Sequence, residues 1–379
     1  MSPITKNLAI LVGFSLPAYF TFAYADQTVL IGHAAPLTGG MAQHGKDTEN
    51  GALLAIEEIN SKGLVVGSQK IVLKLDSQDD AGDPRAATQV AQKLVDEGIV
   101  GVVGHLNSGT SIAASKIYSD ANVVEISPSA TNPAYTSQGF RTTFRLVGTD
   151  AQQGPALAKF AANDLKIKKV AVVDDSTAYG QGLANEFEKT AKALGVTVVS
   201  HEATNDKAVD FRAVLTKIKS EGPDAIMYGG MDATGGLFAK QAQQLGLKAK
   251  VLGGDGLCTS TMALLAGAAV DEVYCTEPGV PLERMSQGER FSQSYQKRFN
   301  HPIDLYAPYA YDAVYIIVDA MKRAKSTNPA NILAAIKNTE YQGVTGQIAF
   351  DSKGDLKQGS ISVYGFKNKQ LNVLNVEKM

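Results

Sequence analysis

The chain has 379 residues, 36 of them Lys or Arg and 38 Asp or Glu, for a formal net charge of −2, and 44% of its residues are hydrophobic. So even a balance, with no basic cluster, excludes the electrostatic footprint of a nucleic-acid-binding protein. The length exceeds what one hydrophobic core organises and predicts two domains.

The first element is a leader. Lys6 precedes an apolar run from Leu8 to Phe20, and Ala23-Tyr24-Ala25 offers a small-residue cleavage site before Asp26, so residues 1–25 read as a secretory signal peptide removed on export. A membrane anchor or a buried first helix is the alternative, but the run contains Pro17 and falls short of the roughly 20 residues a spanning helix needs. No later stretch approaches spanning length, so the mature chain is expected to be soluble, outside the cytoplasm, and to work on a small molecule or a protein. In an oxidising compartment the two cysteines, Cys258 and Cys275, favour a disulfide, with two buried thiols as the rival. Neither lies just after residue 25, where a lipid anchor would attach.

From Thr28 onward short β-branched runs alternate with helix-length amphipathic segments, the pattern of an α/β protein whose parallel sheets are covered on both faces. Thr28 to His33 predicts a strand and Ala42 to Ser61 a helix stopped by Gly63. Strands are expected at Lys70 to Leu75, Gly101 to Val103 and Val123 to Ile126, with helices at Thr88 to Glu97 and Gly109 to Ser119, which makes one Rossmann-like lobe. The rhythm restarts after Arg145 to Thr149. A helix from Ala151, strands at Lys169 to Val173, Gly195 to Ser200, Ala225 to Tyr228 and Val251 to Gly253, and a helix from Gly182 make a second lobe. Pro278 to Lys325 reads as helical, most apolar from Tyr306 to Met321, and strand-like segments close the chain at Gln347 to Phe350 and Ser360 to Phe366.

Enzyme motifs are missing: no nucleophile elbow, no P-loop lysine and no glycine-rich dinucleotide turn follow a strand. The five histidines are scattered without metal-ligand spacing and no C-x-x-C occurs, so no cofactor or metal is expected. The chain offers instead small polar loops at strand ends, Asn107-Ser108-Gly109-Thr110 and Ser127-Pro128-Ser129-Ala130-Thr131. Ligands of open α/β sheets bind outside the carboxyl ends of strands, where helix N-termini present free N–H groups to anions. Ser108 and Thr131 read equally as N-caps, a role compatible with binding.

In these residues the chain resembles the periplasmic branched-chain amino-acid-binding proteins, the substrate receptors of amino-acid ABC transporters. The resemblance covers nearly the whole mature chain through Pro36-Leu37-Thr38-Gly39, Gly51-Ala52 with Ile59-Asn60, Asp79-Asp80 before Asp83-Pro84, Gly104-His105, Ser127 to Thr131, Tyr179-Gly180-Gln181-Gly182, Tyr228-Gly229-Gly230 and Phe350-Asp351. It implies a type I periplasmic-binding fold, two lobes joined by a hinge of three crossings near Val147 to Asp150, Thr276 to Val280 and Asp351 to Gly354. Lobe 1 would then comprise residues 26–147 and 280–351, and lobe 2 residues 148–279 and 352–379.

Carried over by position, the resemblance assigns Ser108 to the ligand's carboxylate, Thr131 to its head group, the Ser129 carbonyl and Asp255 to its ammonium, and Tyr179 to the side-chain pocket. Asp255 alone, in Gly253-Gly254-Asp255-Gly256, reads as a turn aspartate. A second pocket aromatic is expected at Tyr309 or Tyr311, His44 stands where an aromatic ring often sits, and Met231 replaces a tyrosine. The early disulfide of some relatives would fall at Gly82 and Asn107, neither a cysteine, so Cys258 and Cys275 form a different pair. The expected protein is a monomeric periplasmic receptor that hands an amino acid, branched aliphatic by resemblance, to a membrane permease. The rivals are a sensor subunit for an amide or other small polar metabolite, and a secreted α/β hydrolase for which Ser108 and His105 are the nearby nucleophile and base.

Overall fold

The β-branched runs become the strands of two separate sheets. The computed structural model describes Asp26 to Lys378, and the expected signal peptide lies outside the described residues. The first sheet is built from β1 (Gln27–Ala35), β2 (Leu64–Val66), β3 (Gln69–Asp79), β4 (Gly101–Gly104), β5 (Val124–Ser127) and β6 (Thr143–Arg145), in the order β2-β3-β1-β4-β5-β6. Parallel register pairs Ala35 with Asp79 and Ala34 with Gly104. The loops that follow β3, β4 and β5 therefore leave from one edge.

Helices α1 (Ala42–Lys62), α2 (Pro84–Asp96), α3 (Ser108–Asp120) and the short α4 (Ala134–Ser137) cover this sheet. Along α1, Ala52, Ala55, Ile56 and Ile59 are buried at helical spacing in a cluster with Ile31 and Leu73 of the strands. Asp83 caps α2, its carboxylate accepting from the N–H groups of Arg85 and Ala86, with Pro84 at the first helical position.

The second sheet takes β7 (Lys169–Asp174), β8 (Thr197–Ala203), β9 (Ala225–Gly229), β10 (Lys250–Gly253) and β11 (Val273–Pro278). Its helices are α5 (Asp150–Asn163), α6 (Ala178–Ala193), α7 (Arg212–Glu221), α8 (Asp232–Gln244) and α9 (Ser260–Ala266). Cys258 and Cys275 are joined, their Cα atoms 5.6 Å apart, which ties the loop after β10 to β11.

The chain then returns to the first sheet with α10 (Gly288–Phe299), α11 (Ala307–Ala324) and α12 (Pro329–Ile336), followed by the small hairpin β12 (Tyr341–Gln342) and β13 (Gln347–Ile348). The uninterrupted helical stretch expected from Pro278 is broken at residues 300–306. Asn300 turns left-handed with φ 57° and Pro302 follows, without an N–H to continue a helix. Helix α11 packs along α1, and Gly51 allows the crossing, because a Cβ there would collide with the Ala307 carbonyl.

Finally β14 (Ser360–Lys367) and β15 (Gln370–Lys378) join the second sheet, giving the order β15-β14-β11-β10-β9-β7-β8. Both are antiparallel to their neighbours, a departure from the all-parallel expectation. The chain thus passes between the bodies after Arg145, after Pro278 and before Ser360. Arg145 donates to Asp355 at 2.6 Å and its N–H to the Gly354 carbonyl at 3.1 Å. These bonds keep the Asp351 turn on the first body, so the last passage falls after Lys357, a few residues beyond the expected one. Among the described residues no helix is long and apolar enough to cross a membrane.

Candidate ligand-binding site

The carboxyl edges of the two sheets face each other, and their loops meet around a buried carboxylate. Asp255 opens a one-turn 3-10 helix directly after β10. Its Oδ1 accepts from Tyr179 Oη at 2.8 Å and from Gln153 Nε2 at 3.1 Å, and its Oδ2 accepts from Tyr306 Oη at 2.6 Å. Gln153 is oriented in turn by Thr276, whose hydroxyl donates to its Oε1 at 3.1 Å.

Tyr179 comes from the first turn of α6, which Thr177 caps through a bond from the Gly180 N–H. Its hydroxyl accepts from the Gly256 N–H at 3.1 Å, and a Cβ at Gly254 would sit 2.6 Å from the same oxygen, so a glycine is required there. Tyr306 is contributed by the first body, just ahead of α11. Asp255 is therefore held by donors from both sides of the cleft.

Burial raises the pKa of Asp255, against the pull of the hydroxyls of Tyr306 and Tyr179 and the amide of Gln153. Asp150, the first residue of α5, is pushed well above the carboxylate range by burial and next by the charge of Asp255. The Thr131 hydroxyl lies beside the Asp150 carboxyl and pulls the other way. A buried acid and a buried hydroxyl thus gather next to Asp255.

Across the cleft, Ser108 is the first residue of α3 and accepts from the Asn132 N–H at 3.2 Å. Ser129 is fixed by a bond of 2.7 Å from its hydroxyl to the Leu106 carbonyl. Ser108, Ser129, Tyr179, Met231, Asp255 and Tyr306 border one small cavity, and Thr131 lies buried beside them. Free N–H groups at the start of α3 favour an anion here, while Asp255 favours a cation opposite.

Three residues expected at the pocket stand elsewhere. Tyr311 donates to Glu58 Oε2 of α1 at 2.9 Å, and its ring lies tilted against Tyr315 with centroids 4.8 Å apart. Five residues separate it from Tyr306, about 140° of helical rotation, so the two cannot share a face. Tyr309 donates to the Pro278 carbonyl at 2.7 Å, at the second passage. Tyr306 is the aromatic the sequence reading missed. Its one signal was that it opens the most apolar helical stretch. His44 does not border the cavity. It is buried between Asp232 and Asp304. Gln153 and Asp150 were also missed, and only their position just after the first passage pointed to them.

The hydrolase pair does not form. Both ring nitrogens of His105 are engaged away from Ser108, Nδ1 with Asp80 at 2.6 Å and Nε2 with Tyr118 at 3.1 Å. Among the described residues no cluster of His, Cys, Asp and Glu could hold a metal ion.

A family model for periplasmic binding proteins matches residues 28–369. The chain belongs to this family. It is 35% identical to a leucine-, isoleucine-, valine-, threonine- and alanine-binding protein of Pseudomonas aeruginosa over 95% of this chain and 96% of that protein. It is 37% identical to a Leu/Ile/Val-binding protein homologue of Brucella abortus over 93% of this chain and 94% of that one. Among solved structures, a leucine-binding protein of Thermotoga maritima superposes with a TM-score of 0.85 at 29% identity, covering 92% of this chain and 98% of that one. A branched-chain amino-acid-binding protein of Streptococcus pneumoniae in complex with isoleucine gives 0.83 at 28% identity, covering 93% and 99%. The fold of this periplasmic binding protein is thus the type I fold of those receptors.

Proposed function

We propose that this protein captures a free L-amino acid, a branched aliphatic one foremost, between its two bodies and delivers it to the permease of an ABC transporter. The observation that carries the reading is Asp255, a buried carboxylate held by Tyr179 and Gln153 of one body and Tyr306 of the other. A carboxylate offers about four lone-pair sites, so an ammonium can join these donors, with the Ser129 carbonyl as its second acceptor in this reading. The ligand's carboxylate is met by the hydroxyls of Ser108 and Thr131 and the first N–H groups of α3. Charge-assisted hydrogen bonds of this kind are about twice as strong as neutral ones. Met231, Leu106 and Tyr179 supply the apolar surface for the side chain.

Ser108, Ser129, Thr131 and Tyr306 belong to one body and Tyr179, Met231 and Asp255 to the other, so capture and closure are one event, without covalent chemistry. In this reading residues 1–25 export the chain to the periplasm, where it acts as a monomer. In the same reading the hinge has its boundaries at 147/148, 279/280 and 357–360, the third supported by the Arg145 bonds to Asp355 and Gly354. A calorimetric and thermal-shift panel of amino acids, sugars and carboxylic acids tests the proposal. One leucine, isoleucine or valine per chain with a raised melting temperature supports it, and a response confined to ligands lacking an α-ammonium rejects it.

A further inference from the structure

His44 lies on α1, against the first sheet, and its ring is held by carboxylates on both sides. Nε2 is 3.2 Å from Asp232 Oδ2 and Nδ1 is 2.6 Å from Asp304 Oδ2. Asp232 belongs to the other body, as the first residue of α8, where the helix dipole favours a negative charge. Asp304 belongs to the loop 300–306 of His44's own body. The side chains of His44, Asp232 and Asp304 are 2%, 1% and 4% exposed, so the contact across the cleft is shielded from water.

A neutral imidazole donates from one nitrogen only, and a carboxylate cannot donate unless protonated. Only Nε2 makes a hydrogen bond, to Asp232, while the approach of Nδ1 to Asp304 Oδ2 is a charge contact, and two buried carboxylates this close to the ring favour the imidazolium. Both carboxylates are anchored independently of it. Asp232 Oδ2 accepts from Thr259 Oγ1 at 2.6 Å, and Asp304 Oδ1 accepts from Gln43 Nε2 at 3.0 Å. Gln43 reaches across as well, its Oε1 accepting from Thr261 at 3.3 Å.

We propose that His44 is a positioning residue, a latch that binds one body to the other through Asp232 and stabilises the closed form without touching the ligand. The inference rests on amino-acid capture only for the ligand used as a probe. In this arrangement part of the apparent affinity comes from protein–protein contact formed on closing, and a ligand shifts the equilibrium by what it adds to that contact.

The latch is proton-dependent, and its surroundings fix the sign. Facing His44 are Asp232 from α8, Asp304 from the loop before α11, and the ring of Tyr306 with centroids 6.3 Å apart. Asp47 lies one turn along α1, Asp255 accepts from Tyr306 on its far side, and the charged groups that act most strongly on the ring are the two carboxylates. Burial by itself would lower the His44 pKa, but Asp232 and Asp304 outweigh it and hold the imidazolium well above the usual histidine value. In the open form the ring returns to water and its ordinary value near 6.5. Closing therefore takes up a proton. The latch is fully formed below about pH 6.5 and is lost as pH rises through the closed-form value.

The test compares the wild type with His44→Gln and, from the other body, Asp232→Asn, so a failure of one variant to fold leaves the other. Solution scattering of the ligand-free chains should give the variants a larger radius of gyration than the wild type at pH 6, and only the wild type should expand as pH is raised. With leucine as the probe, dissociation from either variant should be at least tenfold faster with association nearly unchanged, as for truncation of a buried charged pair. Calorimetry in buffers of different ionisation enthalpy should show proton uptake near pH 8 that His44→Gln reduces. Variants that match the wild type in scattering, dissociation and proton uptake overturn the latch. If leucine and every other amino acid fail to bind, capture is refuted, while the ligand-free scattering still decides the latch.

Discussion

Asp47 and Asp255 are both fully buried carboxylates ringed by donors, yet they do opposite work. Asp47 accepts from the N–H groups of Asp304, Leu305, Tyr306 and Ala307 at 2.8–3.1 Å and from Tyr295 Oη at 2.9 Å, all within the first body. Backbone donors at the start of α11 have no other partner, so this carboxylate caps the helix and fixes the loop that carries Asp304 and Tyr306. The donors that other residues send to the Asp255 carboxylate are side chains, Tyr179, Gln153 and Tyr306, and the last arrives from the opposite body. Donors that are main chain and local mark a structural carboxylate, whereas donors that are side chain and divided between moving parts mark one that can exchange partners.

Five variants break or sharpen that contrast. Asp47→Ala should have the largest effect, about 4 kcal/mol of stability, because it strands several buried N–H groups at once. Urea unfolding at fixed pH reads it, and a loss under 1 kcal/mol by the same principle would make Asp47 as replaceable as a surface residue. Asp255→Asn should leave the unfolding midpoint nearly unchanged, since it also removes a costly buried charge, but should weaken amino-acid binding by about 3 kcal/mol. Calorimetry checks this, and binding within about threefold of wild type would reduce Asp255 to a turn residue. Replacing Cys258 and Cys275 together with serine should cost about 3 kcal/mol of stability by releasing a short loop in the unfolded chain. Affinity should barely move, and peptide mapping without reductant verifies the bridge beforehand. The smallest effect separates two tyrosines. Tyr306→Phe should weaken binding by about 2 kcal/mol through one lost hydrogen bond to a charged group, and Tyr311→Phe should leave affinity at the wild-type value.

That last pair shows where the sequence was readable. The alternation of strands and helices is written in residues adjacent along the chain, as at Val170 to Val173 and in the buried stripe of α1, and these segments fold where their periodicity puts them. The polar loops at Ser108 and Ser127 to Thr131 were equally visible, because a strand end followed by a helix start is a local signal. Tyr306 and Tyr311 share composition and neighbourhood, and only the helix break at residues 300–306 decides which one faces Asp255. The edge strand β15 was passed over because all its side chains are exposed or half-buried and its polar–apolar alternation slips at Leu374, where the pairing with β14 skips a residue. His44 gave no sign of its role, since Asp232 lies 188 residues away and no spacing rule joins them.

The interleaving of the chain has a consequence for its synthesis. The first body needs α11, whose Ile316 and Ile317 fill its core, and the second needs β14, where Gly365 pairs with Tyr274. A polypeptide emerging from its N-terminus therefore carries a first sheet whose strands are all made but whose α11-covered face stays open until residues 307–324 have appeared, and it completes the second sheet only with residues 360–378. Halves that fold independently in the finished molecule are not independent as nascent chain, and an N-terminal fragment cut at any of the three passages leaves an open hydrophobic face.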